Sequence, residues 1–358
     1  MTDRAVTPTG CPRPREAVLK MAPYSPPTAN REGKLRLDFN ENTIGCSPRV
    51  VEFLRERLSA DALSVYPEYQ EAKKALAAFF SVEPDQFILT NGTDEAIQLI
   101  VNTYVDGGDE VLLLRPSYAM YRFYSELAGA SVVEIDYESK DLSFPLEGLL
   151  EAIHAGTKAI LIANPNNPTG TAVPPGGIEK ILERAAGAAV LIDEAYYDFY
   201  GTTVMEFIPQ APNLFVSRTF SKAYGMAAMR LGCVFSQAEN IAHLHKTHSP
   251  YSVNMLAALA VREAIKDREY TQNYAAEVIA ARQQLYEGLE AMRVPYYRSQ
   301  ANFVLIQVGS RAVEIRDRLR QMGVLVRDRS YELPGCVRIT VGTRQQVGRF
   351  LEAFREVW

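Results

Sequence analysis

The chain has 358 residues, 47% hydrophobic and 23% charged, with a formal net charge of -5, a composition typical of globular proteins and long enough for two domains. The acidic balance excludes the basic footprint that nucleic-acid binding needs, and no apolar run approaches the ~18 residues of a membrane span. Residues 1–15 lack the apolar centre of a secretion signal, and Cys11, Cys46, Cys233 and Cys336 have neither disulfide nor metal spacing, so a reduced, cytoplasmic protein without a bound metal is expected.

Residues 1–34, rich in Pro, Thr and Arg, read as an irregular arm with helix only around 15–21. Leu35 to Phe39 alternate like a short strand and lead into the polar loop Asn40-Glu41-Asn42-Thr43-Ile44-Gly45. Val50, Val51, Leu54 and Leu58 recur at helical spacing, as do Ala72, Ala75, Leu76, Phe79 and Phe80, with the exposed aromatic turn Val65-Tyr66-Pro67-Glu68-Tyr69 between them. From Phe87 the pattern changes to short continuous apolar runs separated by helices: 87–89, 111–114, 159–162, 190–192, 214–216 and 233–235. Strands apolar on both faces belong in a mostly parallel sheet covered by helices. Ligands of such sheets bind at the carboxyl ends of the strands, so a real site should be spelled by the residues just after these runs.

Those residues are polar and chemically pointed. After 87–89, Gly92, Thr93 and Asp94 open a helix whose free N–H groups suit a phosphate, or form an ordinary N-cap. After 111–114, Tyr118 could lie on a flat heterocycle or belong to the core. After 159–162, Asn164-Pro165-Asn166-Asn167-Pro168-Thr169-Gly170 holds Asn167 rigidly between prolines. After 190–192 comes Asp193-Glu194-Ala195-Tyr196. A carboxylate at a buried strand end needs a cation, such as a protonated pyridine nitrogen; a structural Asp or a magnesium-binding pair are the alternatives, the latter without a P-loop to accompany it. After 214–216, Thr219, Ser221, Lys222 and Arg230 combine a lysine able to form an imine with groups that bind a phosphate dianion, or else make a solvated Ser-Lys turn. His243, His245 and His248 face different sides of a helical stretch and are not expected to hold a metal. Helices follow over 253–292, and strand and helix alternate again to the end.

In these motifs, taken in order with Asn40-Glu41-Asn42, Tyr66-Pro67 and Val337-Arg338-Ile339-Thr340-Val341-Gly342-Thr343, the chain resembles the fold-type I pyridoxal-phosphate aminotransferases, and among them especially the histidinol-phosphate aminotransferases. The resemblance implies an α/β fold with a large, mostly parallel sheet domain (47–265), a smaller α/β domain (266–358) and an N-terminal arm (1–46) that completes the latter. It implies pyridoxal 5'-phosphate as cofactor, with Lys222 holding it as an imine and then moving the substrate α-proton, Asp193 keeping the ring nitrogen protonated, and Asn167 and Tyr196 bonding the ring oxygen. Tyr118 would stack on the ring. Thr219, Ser221, Arg230, the amides from Gly92 through Thr93 to Asp94, and Tyr66 of a second subunit of a homodimer would hold the phosphate. Tyr24, Asn42, Asn302, Arg327, Arg338 and Arg349 would face the substrate, a small-molecule amino donor or a 2-oxo acid. Histidinol phosphate with 2-oxoglutarate is the expected pair; aromatic amino acid transamination and a phosphothreonine-type decarboxylation are the alternatives. Arg327-Asp328-Arg329 also reads as a solvated turn and Arg349 as a surface residue. Thr43, Cys46, Tyr69 and Ala228 depart from the family pattern, which bears on loop shape and substrate preference.

Overall fold

A computed structural model describes residues 12–23 and 29–358. Twelve strands fall in two sheets: β1 (Leu35–Leu37), β2 (Phe87–Thr90), β3 (Glu110–Arg115), β4 (Ser131–Asp136), β5 (Thr157–Ala163), β6 (Ala189–Asp193), β7 (Leu214–Thr219), β8 (Gly232–Phe235), β9 (Tyr296–Tyr297), β10 (Phe303–Gln307), β11 (Val324–Asp328) and β12 (Cys336–Thr340). The seven-stranded sheet runs β2-β8-β7-β6-β5-β3-β4 and the five-stranded sheet β1-β11-β12-β10-β9.

In the larger sheet, β7-β6-β5-β3-β4 pair in parallel and β8 lies antiparallel to both β7 and β2. Its central strands are buried along nearly their whole length, as β6 and β7 are at every residue. Their two faces pack into separate apolar clusters: Ile160, Ile162, Val190 and Ile192 on one side, Leu161, Leu191, Phe215 and Val234 on the other. This is why each strand appears in the sequence as an unbroken apolar run rather than an alternation. The strand without such a run, β4, lies at one edge of the sheet: its residues are exposed or half-buried and it carries Glu134 and Asp136, which pair with Arg115 and Arg122.

The smaller sheet alternates. Val337 and Ile339 of β12 and Val304 and Ile306 of β10 bury against Val278, Leu285, Phe350 and Phe354 of two long helices, Arg268–Ala291 and Arg344–Val357. The second begins with a Thr343–Gln346 capping box, a device that contributes about 1 kcal/mol. Period-two geometry then turns Arg338 and Thr340 to the opposite face, toward the larger sheet. β1 pairs in parallel with β11, Leu35 opposite Val324, so the start of the described chain completes a sheet otherwise built from its last quarter. Between the sheets, residues 40–46 run against the segment after β7: Asn42 Nδ2 donates to the Ala223 carbonyl, 2.9 Å, and a Cβ on Gly225 (φ 68°) would collide with the Gly45 backbone. Among the described residues no helix is long and apolar enough to cross a membrane.

Candidate active site

A cavity of about 510 Å³ lies between the carboxyl ends of the large-sheet strands and the face of β11 and β12 that carries Arg327 and Arg338. Many of its residues end or closely follow parallel strands: Ala163 closes β5, Asp193 closes β6, Thr219 closes β7, and Tyr118 follows β3. Asp193 is 3% exposed and accepts from the Tyr121 hydroxyl (2.9 Å) and the Ser217 hydroxyl (2.8 Å). Burial pushes its pKa up to about 6, against the two hydroxyl donors, which favour the anion. Tyr196 accepts from Asn40 Nδ2 (3.0 Å), which leaves its own hydroxyl proton available.

Lys222 reaches back with its Nζ to the Phe39 carbonyl, 3.1 Å. Burial lowers its pKa to about 8, with the Arg338 and Arg230 charges adding to the effect and Glu41 and Asp94 opposing it. An ammonium so placed gives up its proton near neutral pH, as a nucleophile or general base requires. At one end of the cavity the helix Gly92–Tyr104 begins, with Thr93 and Asp94 of its first turn lining the wall beside Ser221 and Arg230 while Gly92 itself lies outside the lining. A Cβ on Gly92 would strike the Arg230 guanidinium, so glycine is what lets that cation lie over the helix start. Arg230 is 3.3 Å from Asp94, whose other oxygen accepts from the Tyr118 hydroxyl at 2.7 Å.

The other end is cationic. Arg327 and Arg338 are register partners on neighbouring antiparallel strands, and Arg329 stands two residues beyond Arg327. Arg338 donates to the Asp38 carbonyl (2.7 Å) and to Asn167 Oδ1. Its pKa is lowered to about 10, by burial above all and then by the Arg329 and Arg327 charges. Arg338 Nε, Arg329 Nε and Arg327 Nη1 are buried donors without a partner among the described residues. Arg31 lines the same wall but is neutralised, 2.8 Å from Asp38 and 2.6 Å from Glu41.

Not every expected residue joins the cavity. Asn42 and Asn302 sit behind it, Asn42 accepting from the Ile44 and Gly45 amides and Asn302 donating to the Asn40 carbonyl; both shape the 40–46 loop. Arg349 is exposed on the final helix beside Gly323, outside the cavity lining, because its helix buries the opposite face. Tyr66 is 74% exposed and stacks on Tyr251, 4.4 Å between centroids, away from the cavity of its own chain. Tyr24 lies outside the described residues. The solvated-turn alternative for 327–329 does not hold: Arg329 is 7% exposed. Sequence reasoning gave no role to Tyr121, Asn40, Glu41 or Arg31. Tyr121 follows Tyr118 by one helical turn, a spacing that could have marked it; Arg31 had no signal at all. No metal-binding group of His, Cys, Asp and Glu occurs among the described residues.

The donor set fits a flat, phosphorylated pyridine. A buried carboxylate with hydroxyl donors but no cation against it calls for a protonated ring nitrogen. At the other end of the same cavity, backbone N–H groups, a hydroxyl and an arginine suit a phosphate dianion, and a lysine lies between them.

The family profile described as aminotransferase class I and II matches residues 32–354. The chain is 36% identical, over 95% of its length and 97% of the relative's, to a histidinol-phosphate aminotransferase of Symbiobacterium thermophilum. It is 34% identical to one of Caldanaerobacter subterraneus, over 90% and 93% of the two chains. Its fold superposes with a TM-score of 0.81 on the histidinol-phosphate aminotransferase of Sinorhizobium meliloti in complex with pyridoxal-5'-phosphate, at 24% identity, covering 90% of this chain and 92% of that one. The chain belongs to the class I and II aminotransferases, and it is a pyridoxal-phosphate-dependent transaminase.

Proposed function

We propose that the protein moves an amino group between histidinol phosphate and 2-oxoglutarate. The observation that carries this reading is the cluster of Arg327, Arg329 and Arg338 with their unpartnered donors: a phosphate monoester answers such a wall, and the side chain of phenylalanine does not. The names of the relatives agree with it.

When bound, pyridoxal 5'-phosphate supplies the electron sink that makes the substrate α-proton acidic. Lys222 would hold the cofactor through its Nζ and, when that amine is free, would be the base that takes and returns the substrate's proton. Asp193, steadied by Tyr121 and Ser217, keeps the ring nitrogen protonated. Asn167 has its oxygen engaged by Arg338, so its Nδ2 is left to donate to the ring oxygen; the Tyr196 hydroxyl, accepting from Asn40, donates there too. Tyr118 would lie against the ring, and the amides of Gly92, Thr93 and Asp94, with Thr219, Ser221 and Arg230, would hold the phosphate. Arg338 and Arg327 receive the substrate's phosphate or, in the second half-reaction, a carboxylate of 2-oxoglutarate.

We place the protein in the cytoplasm as a homodimer. The exposed patch of Leu63, Val65, Tyr66 and Tyr251 supports the dimer, with Tyr66 serving the neighbouring subunit's phosphate. The division into 1–46, 47–265 and 266–358 agrees with two sheets that share no strand. Steady-state assays with 2-oxoglutarate as acceptor test the substrate. Histidinol phosphate is expected to exceed phenylalanine and tyrosine in kcat/KM; phenylalanine ahead by about tenfold or more would transfer the protein to the aromatic class, and carbon dioxide release from phosphothreonine would make it a decarboxylase.

A further inference from the structure

The helix Gly92–Tyr104 begins on an irregular turn. Gly92 has φ 75°, in the left-handed region, and the Asn91 side chain makes no capping hydrogen bond, so the amides of Gly92, Thr93 and Asp94 have neither a helical acceptor nor a cap. The turn is fixed instead by what packs around it. A Cβ on Gly232 of β8 would come within 2.9 Å of the Gly92 carbonyl carbon and 3.0 Å of the Thr93 nitrogen. Glu95 Oε2 accepts from the Asn91 backbone N–H at 2.6 Å and from the Ser252 hydroxyl at 2.8 Å. With its proton given to Glu95, Ser252 Oγ accepts from His248 Nε2, 2.9 Å away, and the same ring nitrogen is 3.6 Å from Glu95. Burial raises the Glu95 pKa, but His248, the Asn91 amide and Ser252 outweigh it and hold the carboxyl below its ordinary value.

We propose that Ser252 and His248 are positioning residues for the cofactor's phosphate: through Glu95 they hold the turn at Asn91 and Gly92, and with it the amides that receive that group. The inference rests on the assignment of those amides to the phosphate made above. Their chemistry explains why the support comes from so far along the chain. A serine or aspartate capping the helix would occupy the N–H of its second or third residue, and the phosphate would lose a donor. Glu95 accepts from the amide that precedes the helix and leaves the three helical ones free. Its charge, which would otherwise oppose a nearby dianion, is engaged by one N–H, one hydroxyl and the His248 ring. The segment also reaches further: Tyr251, beside Ser252, stacks on Tyr66 with ring centroids 4.4 Å apart. The stretch that steadies one subunit's phosphate helix thus seats the tyrosine placed above at the neighbour's phosphate.

The test compares the full-length apoprotein's affinity for pyridoxal 5'-phosphate with its affinity for pyridoxal, which lacks the phosphate, by absorbance titration. Ser252→Ala is expected to weaken binding of the phosphate ester roughly tenfold, the scale of one hydrogen bond to a charged group, and to change binding of pyridoxal less than about twofold. Ser252→Thr, which keeps a hydroxyl, should restore most of the affinity. His248→Gln acts on Glu95 through the other donor and should weaken binding of the phosphate ester about threefold; it carries the test where Ser252→Ala proves unstable. Equal losses for the two compounds would mean a merely structural role and overturn the proposal, as would unchanged affinity for the phosphate ester. If the wild-type apoprotein binds pyridoxal as tightly as the phosphate ester, the phosphate assignment itself falls and this inference with it. A wild type that separates the two compounds, with variants that separate them equally well, would refute the inference alone.

Discussion

The two ends of the cavity are built on opposite plans. At the cofactor end, polar groups come from consecutive strand ends of one sheet and are already engaged: Asp193 by Tyr121 and Ser217, Asp94 by Tyr118 and Arg230. At the substrate end, cations come from β11, β12 and the turn after β11, and three of their buried donors have no partner among the described residues. The first plan preorganises charge for a single group that stays. The second buries like charges beside one another, burial first and the Arg329 and Arg327 charges after it lowering the pKa of Arg338, and an incoming anion relieves them. A residue of the first end should therefore matter for every substrate, and one of the second should matter according to what the substrate carries.

Lys222→Ala gives the largest effect at the cofactor end: turnover should drop about 10⁴-fold or more with any amine, since both nucleophile and base are gone. Survival of activity with even one substrate would break the contrast. Arg338→Gln comes next and should divide substrates, raising KM for anionic ones roughly 30-fold or more, read from initial rates. The same substitution links the ends. Arg338 lowers the Lys222 pKa, so its removal should shift upward the pH midpoint for cofactor uptake by the apoprotein. In the wild type that rate should rise with pH as the amine is freed and level off above about 8. Glu41 raises the same pKa, and Glu41→Gln should move the midpoint down. Stopped-flow absorbance gives all three curves, and a wild-type midpoint near the ordinary lysine value of 10.5 would refute the burial argument. Tyr121→Phe removes one donor from a buried carboxylate and is expected to cost about 1.5–3 kcal/mol in denaturant unfolding of the apoprotein. Smallest is Arg349→Ala, outside the cavity, which should change stability by less than about 0.5 kcal/mol and leave the kinetics alone.

The same contrast explains what the sequence could reveal. Parallel strands buried on both faces are written as apolar runs, and the residues after each run are the cofactor end, so Asp193, Lys222, Asn167 and Thr93 are legible in the sequence. The half-exposed edge strand β4 has no such run, and it was missed. At the substrate end, Arg327 and Arg338 were reachable only through family resemblance. Whether Arg329 was a solvated turn or a buried cation depended on the fold of residues 330–336 over it, and Arg31 enters the site only because β1 pairs with a strand nearly three hundred residues away. Arg349 shows the converse: its helical phase fits either a site or a surface, and only the packing of Phe350 and Phe354 on the small sheet decides.

The pairing of Leu35 with Val324 has a consequence in time. On the ribosome the larger sheet is complete once residue 235 has emerged, whereas β1 must wait, unpaired, for a strand made at the far end of the message. Contacts of such sequence separation form late. The nascent protein should thus acquire its grip on the cofactor well before the cationic wall that selects a substrate exists, and its N-terminal strand is the part that most needs protection in the interval.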